Sequence, residues 1–312
     1  MLYRTLGRTG LSVSLAGLGT GGPSKLGQTA GITRTESHRI VHVALDLGIN
    51  LFDTSPAYGG SEELLGGALK GVARDRYVVA TKFPPTRGDT LREAEDLTRQ
   101  LDESLRLLGV DTIDVLQYHG VSPENYRDVV DRFHPVAVRA QEAGKIRFIG
   151  ITETAVGDPD HNMLVQALQD DLFDTFMVKY GILNQTAERR VLPMAQERNV
   201  GVFVMASVRT SLRTPQEAAS FINRFIDEGQ ISIPRTTEDD PLGLGQVGQD
   251  IPTVTRAAYQ FAAAHPAVST VLVGTGNVGH LKVNVADIIG PHITDAQLEY
   301  LRRAFGQLAW PS

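Results

Sequence analysis

The 312-residue chain contains no cysteine. That removes disulfides, thiolate nucleophiles and cysteine-based zinc sites together, and no metal ligands are assigned elsewhere in the sequence. No apolar run approaches the ~20 residues of a membrane-spanning helix. The first residues, Met1-Leu2-Tyr3-Arg4-Thr5, lack the basic and then apolar regions of a signal peptide. The expectation is a soluble, cytoplasmic protein. Positive charge is also short: 30 Lys and Arg against 36 Asp and Glu give a formal net charge of −6. Nucleic acid is therefore not an expected partner, because a phosphate backbone asks for a basic face. A local basic pocket for one phosphorylated small molecule is still allowed. Oligomeric state has no signature in the sequence.

Apolar residues are plentiful, at 42% of the chain. They fall in short runs separated by amphipathic stretches. Runs rich in Val, Ile, Leu and Phe predict strands at 14–20, 50–55, 77–82, 113–119, 146–152, 175–180, 201–206 and 270–275, as for parallel strands covered on both faces. Helices are expected at 35–48, 61–70, 90–108, 123–143, 161–169, 186–198, 252–264, 278–289 and 294–306. Thr90 with Glu93, and Thr294 with Gln297, have capping-box spacing. Gly109 and Gly144 follow helix ends and suit left-handed caps. Strands that alternate with helices eight times predict one α/β domain over 1–312, a closed (β/α)8 TIM barrel. The first strand-to-helix turn, Gly17 to Gly22, does not complete the glycine fingerprint of an open dinucleotide-binding sheet. Residues 3–13 read as an N-terminal β-hairpin able to plug the barrel floor. A long insertion, about 207–251 with a helix at 215–228, separates strands 7 and 8. On the C-terminal face it is either a lid or cofactor clamp or a solvated surface excursion.

The most informative stretch is Asp53-Thr54-Ser55-Pro56-Ala57-Tyr58-Gly59. Asp53 ends the second predicted strand, and Tyr58 lies in the loop after it. Lys82 ends the third strand and His119 the fourth. In a barrel, three adjacent strand ends bring these four side chains to one place. A phenol with a pKa of about 10 is a poor acid near neutrality. A neighbouring ammonium favours the phenolate. Lys82 can supply that charge, Asp53 can hold Lys82, and His119 can orient a substrate oxygen. Tyr58 would then be a general acid for a carbonyl that receives hydride.

These segments resemble the aldo-keto reductase family. Asp53 to Glu62 is similar to its D-T-A-x-x-Y-G-x-S-E signature. Leu105 to Val115, followed by His119, is similar to its S-L-x-x-L-G-x-D-Y-x-D-L…H stretch, and Gly144 to Ile151 to its G-K-I-R-x-I-G-V. The resemblance spans nearly the whole chain. It implies a TIM barrel, hydride transfer between NADP or NAD and a small-molecule carbonyl or sugar, and the tetrad Asp53, Tyr58, Lys82 and His119. The implied cofactor-binding set is Gly19, Thr20, Gly21, Asp53, Thr152, Glu153, Lys179, Met205, Ala206, Ser207, Val208, Gly274, Thr275, Gly276, Asn277, His280 and Asn284.

Around the nicotinamide the chain departs from the family pattern. Thr152-Glu153 stands where Ser-Asn is usual, Lys179 where Gln is usual, and Met205 where an aromatic ring commonly stacks. Either Glu153 and Lys179 hold the carboxamide as a charged pair, or they neutralise each other and the subsite is altered. A lysine at this strand end also allows a Schiff base with a carbonyl substrate. His280 replaces the usual arginine for a 2′-phosphate. Lys282, or Arg209 and Arg213, could substitute, so both NADP and NAD are open. The rival to an enzyme is a cofactor- or ligand-binding barrel with a regulatory role.

Overall fold

Eight parallel strands close into a barrel in the computed structural model, which describes residues 1–154, 156–208 and 210–308. They are β1 (Ala16–Gly19), β2 (Leu51–Asp53), β3 (Val78–Phe83), β4 (Ile113–Val121), β5 (Ile146–Glu153), β6 (Thr175–Lys179), β7 (Gly201–Met205) and β8 (Thr270–Val273). Each pairs with the next, and β8 pairs with β1. The strand order sets β6 diametrically across the barrel from β2. The predicted (β/α)8 barrel is thus the observed architecture.

Strand alternation sorts the side chains between two cores. Leu51, Val78, Ala80, Val115, Met177 and Phe203 point inward. Their strand neighbours, such as Phe52, Val79, Leu116, Phe176 and Val204, pack outward against the helices. Those helices are α1 (Arg34–Asp46), α2 (Ser61–Leu69), α3 (Ala94–Leu108), α4 (Tyr126–Glu142), α5 (Asn162–Asp170), α6 (Thr186–Arg190), α7 (Leu192–Glu197), α8 (Pro215–Asp227), α9 (Val254–Ala264), α10 (Val278–Ile289) and α11 (Asp295–Phe305).

The N-terminal hairpin pairs Tyr3–Thr5 with Ser12–Ser14. Its Leu6, Leu11 and Val13 join the inner core and fill the barrel's N-terminal end. The 207–251 insertion carries α8, capped by Thr214, whose side chain accepts from the Glu217 amide. Gly109 (φ 68°) and Gly144 (φ 74°) occupy the expected left-handed positions. Thr294 and Gln297 make the expected capping box.

Two expectations need correction. Thr90 does not open a helix: it pairs with Arg87 in a small hairpin, and α3 begins after Glu93, whose amide donates to Asp96. The predicted helix 186–198 is two helices, because Pro193 in the first turn of α7 has no amide to continue α6.

One close contact reverses a rule of helix propensity. A Cβ added to Gly66 of α2 would lie 2.2 Å from the Leu107 carbonyl oxygen of α3. Gly→Ala in a helix normally stabilises by roughly 1 kcal/mol. Here Gly66→Ala is expected to destabilise the fold by about 1–3 kcal/mol through overpacking, measured by urea denaturation. A gain in stability would show that α2 and α3 are less tightly apposed.

Candidate active site

At the C-terminal mouth of the barrel, β2, β3 and β4 present Asp53, Lys82, Gln117 and His119 on the inward-facing parity. The Lys82 ammonium donates to both Asp53 carboxylate oxygens at 2.6 Å and to the Thr54 carbonyl at 2.8 Å. Gln117 donates its amide to Asp53 Oδ1 at 3.2 Å. Burial pushes the Asp53 carboxyl up and Lys82 and Gln117 pull it back down; since it receives only donors, the geometry is that of an ionised carboxylate. Burial works against the charge on Lys82, but Asp53 and Tyr58 oppose it and hold the ammonium above its ordinary range. Both partners are almost wholly buried.

Tyr58 and His119 are half-buried and open to the mouth. The Lys82 ammonium lies 5.0 Å from the Tyr58 ring centroid. The phenol oxygen is 3.4 Å from His119 Nε2, and Ser55 Oγ is 3.2 Å from His119 Nδ1. Burial raises the Tyr58 phenol above its ordinary value, Lys82 pulls it down, and Asp53 pushes it up. Lys82 thus moderates the phenol rather than depressing it outright, which departs from the simple expectation of a lowered pKa. Burial, aided by Lys82, drives His119 down to about 3. Its imidazole is neutral near pH 7 and can donate to, or accept from, an uncharged oxygen.

The loop after β1 supports this arrangement. Gln28 donates to the Tyr58 carbonyl at 3.2 Å and to Ser61 Oγ at 2.8 Å, and it accepts from the Gly60 amide at 2.9 Å. A Cβ on Gly21 would lie 2.6 Å from the Tyr58 ring, so the ring rests directly on that backbone. Thr20 bonds the Asp53 carbonyl through its amide and Thr54 through its hydroxyl. Gly19 is buried beside it.

The opposite wall differs from both readings of the Glu153–Lys179 pair. Glu153 shares the outward parity of Ile149 and Ile151, and its side chain has no exposure. Its carboxylate accepts from His161 Nδ1 at 2.7 Å and from the Lys179 main-chain amide at 2.6 Å. His161 Nε2 continues to Thr186 Oγ1 at 2.8 Å. Lys179 shares the inward parity of Met177. It is 5% exposed, and its ammonium has no hydrogen bond or ion pair among the described residues. The two side chains leave the barrel wall in opposite directions and do not neutralise each other. Thr152 faces inward but accepts from the Gly120 amide at 2.8 Å. Met205 is half-buried at the mouth, Ala206 takes a left-handed conformation (φ 60°), and Val208 is half-buried. Ser207 Oγ is buried without a protein partner.

At the far side of the mouth, Gly274 to Gly276 lead into α10. Thr275 Oγ1 accepts from the Asn277 amide, and the Asn277 side chain caps the helix by accepting from the His280 amide. A Cβ on Gly276 would lie 2.7 Å from Gly27 Cα, so the β1 loop touches this turn. Exposed His280 and half-buried Asn284 follow on α10. Arg213 pairs with Glu217, and Arg209 lies outside the described residues.

These features fit a nicotinamide dinucleotide. Ser207 Oγ is a buried polar group without a partner among the described residues, Lys179 points inward at the mouth, and the glycine turn before α10 offers first-turn amides suited to phosphate. Sequence reasoning missed Gln28, Gln117 and His161. The inward parity of Gln117, two residues before His119, was a usable signal. Gln28 and His161 carry none, since both act through loops.

Comparison with known proteins supplies the lineage. The profile of the aldo/keto reductase family matches residues 17–304. L-galactose dehydrogenase of Arabidopsis thaliana is 30% identical over 99% of this chain and 97% of its own. Pyridoxal 4-dehydrogenase of Microbacterium luteolum is 26% identical over 90% of this chain and 91% of its own. An aldo-keto reductase of Bacillus halodurans, solved in its holo form, superposes with a TM-score of 0.75 at 27% identity, covering 97% of this chain and 95% of that one. The chain belongs to the aldo/keto reductase family and is an NAD(P)-dependent oxidoreductase of carbonyls and alcohols.

Proposed function

We propose that this protein interconverts a sugar, or a similar small hydroxylated molecule, and its carbonyl form, with Tyr58 as the general acid and base. The observation that carries this reading is the half-buried Tyr58, its hydroxyl beside a neutral His119 and its ring near the buried Lys82–Asp53 pair. The substrate class draws on the names of two similar enzymes, a dehydrogenase of L-galactose and one of pyridoxal.

When bound, NADP or NAD supplies or accepts the hydride. Lys179 can donate to the carboxamide oxygen, Ser207 offers a further polar contact, and Met205 supplies an apolar platform. His119 holds the substrate oxygen near Tyr58. In reduction, the Tyr58 proton passes to the oxygen of the forming alcohol. In oxidation, the alcohol proton passes to the Tyr58 oxygen. Lys82 stabilises the phenolate in either direction, and Asp53 keeps Lys82 charged and in place. Glu153 has no direct part: it anchors the β5 and β6 ends from outside.

Tyr58→Phe should lower kcat for carbonyl reduction by roughly 10²–10⁴-fold while the cofactor dissociation constant stays within a few-fold. Steady-state kinetics on a panel of aldoses and aldehydes, with calorimetric binding, measures both. Wild-type turnover that survives in Tyr58→Phe would remove Tyr58 from the proton step.

The pH dependence follows from the two titrating groups at the mouth. Tyr58 stays protonated up to and beyond the ordinary phenol range, and His119 is neutral above about 3. Reduction should therefore be flat from about pH 5 to about pH 9. Alcohol oxidation needs the phenolate and should rise with pH over the same interval. A reduction rate that falls as pH rises through about 6–7 would mean that His119, not Tyr58, carries the proton.

A further inference from the structure

We propose that Lys179 biases the site toward alcohol oxidation by favouring the reduced over the oxidised form of the bound cofactor. The proposal rests on the functional reading above, since it assumes a nicotinamide ring between the β2 and β6 walls.

Among the described residues, the inward-facing charged side chains on the β2, β3 and β6 ends are Asp53, Lys82 and Lys179. On the β2–β4 wall the Lys82 cation and the Asp53 anion cancel, with three hydrogen bonds to the ammonium and full burial. His119 is neutral. On the facing wall stands Lys179, inward on β6 and 95% removed from solvent. Glu153, at the end of the adjacent strand, is turned to the outside of the barrel, with one oxygen on His161 and the other on the Lys179 main chain. That second bond fixes the Lys179 backbone while leaving its ammonium uncompensated. Among the described residues of these strand walls, Lys179 is thus the one unopposed positive charge, in a place where water screens it poorly.

The two cofactor forms differ in charge at the ring. The oxidised nicotinamide is cationic and the reduced ring is neutral. A fixed cation nearby repels the first and is indifferent to the second. Oxidation of the substrate breaks an alcohol carbon–hydrogen bond, and the hydride carries its electron pair to the ring. The hydroxyl proton goes to the Tyr58 oxygen and on to solvent, and a carbonyl is left. The ring's positive charge disappears in that step, so the repulsion from Lys179 is relieved as the alcohol is oxidised. A neutral side chain at this position would exert no such pull. Tyr58 sets how the proton step responds to pH. Lys179 sets the electrostatic balance of the hydride step, and that balance can be read without substrate.

The test compares dissociation constants of oxidised and reduced NADP and NAD, measured by titration calorimetry without substrate. The proteins are the wild type, Lys179→Gln, Lys179→Met and Lys179→Arg, each checked for a native thermal transition. The oxidised-to-reduced ratio of dissociation constants should fall by about tenfold in Lys179→Gln and Lys179→Met, the order expected for one nearby charge in a partly buried site. Lys179→Arg should keep it. Folded neutral variants with an unchanged ratio would overturn the bias while leaving the functional reading intact. Failure of the wild type to bind either form would overturn both.

Discussion

The buried ion pair between Lys82 and Asp53 is the interaction on which the mouth of this barrel depends. Two charges are taken out of water, and the geometry compensates: both carboxylate oxygens meet the ammonium, a backbone carbonyl takes a third contact, and Gln117 adds another donor. Removing one partner would strand the other, at a cost on the order of 3–5 kcal/mol. The pair also gives Tyr58 its electrostatic setting. Burial alone would make the phenol a very weak acid, and the ammonium 5.0 Å from its ring is the one favourable charge that counters it.

The rest of the fold keeps that pair and Tyr58 in register. Barrel closure sets Asp53, Lys82 and His119 on neighbouring strand ends. The hairpin's Leu6, Leu11 and Val13 close the opposite end, so the inner core below the polar layer is lined by apolar side chains. The β1 loop clamps the Tyr58 turn through Gln28 and supports its ring on Gly21. The same loop touches the glycine turn before α10 at Gly27. Substrate chemistry and the expected dinucleotide path therefore share one support.

Much of this was legible in the sequence, because it rests on local signals. Eight apolar runs, each followed by an amphipathic stretch, specify the barrel. The strand-end positions of Asp53, Lys82 and His119 follow from where those runs stop. What was not legible depends on direction. Glu153 and Lys179 read as partners because both lie at the ends of adjacent strands. Strand parity sends one outward to His161 and the other inward, and that became visible only once β5 and β6 had defined inner and outer cores. Thr90 misled for a related reason: a capping pattern is local, and the pairing of Thr90 with Arg87 prevailed over it. Gln28 acts through a loop whose path no periodicity encodes.

The central claim is that a proton-transfer wall at Tyr58 faces a nicotinamide seat into which Lys179 brings an unpaired charge among the described residues. A crystal structure of the protein with oxidised cofactor and a substrate alcohol tests it most directly. The account predicts the substrate oxygen within roughly 3–3.5 Å of the Tyr58 hydroxyl, the nicotinamide between that wall and Lys179, and Glu153 still bound to His161. A cofactor seated away from the barrel mouth, or a Lys179 ammonium paired with Glu153, would contradict it.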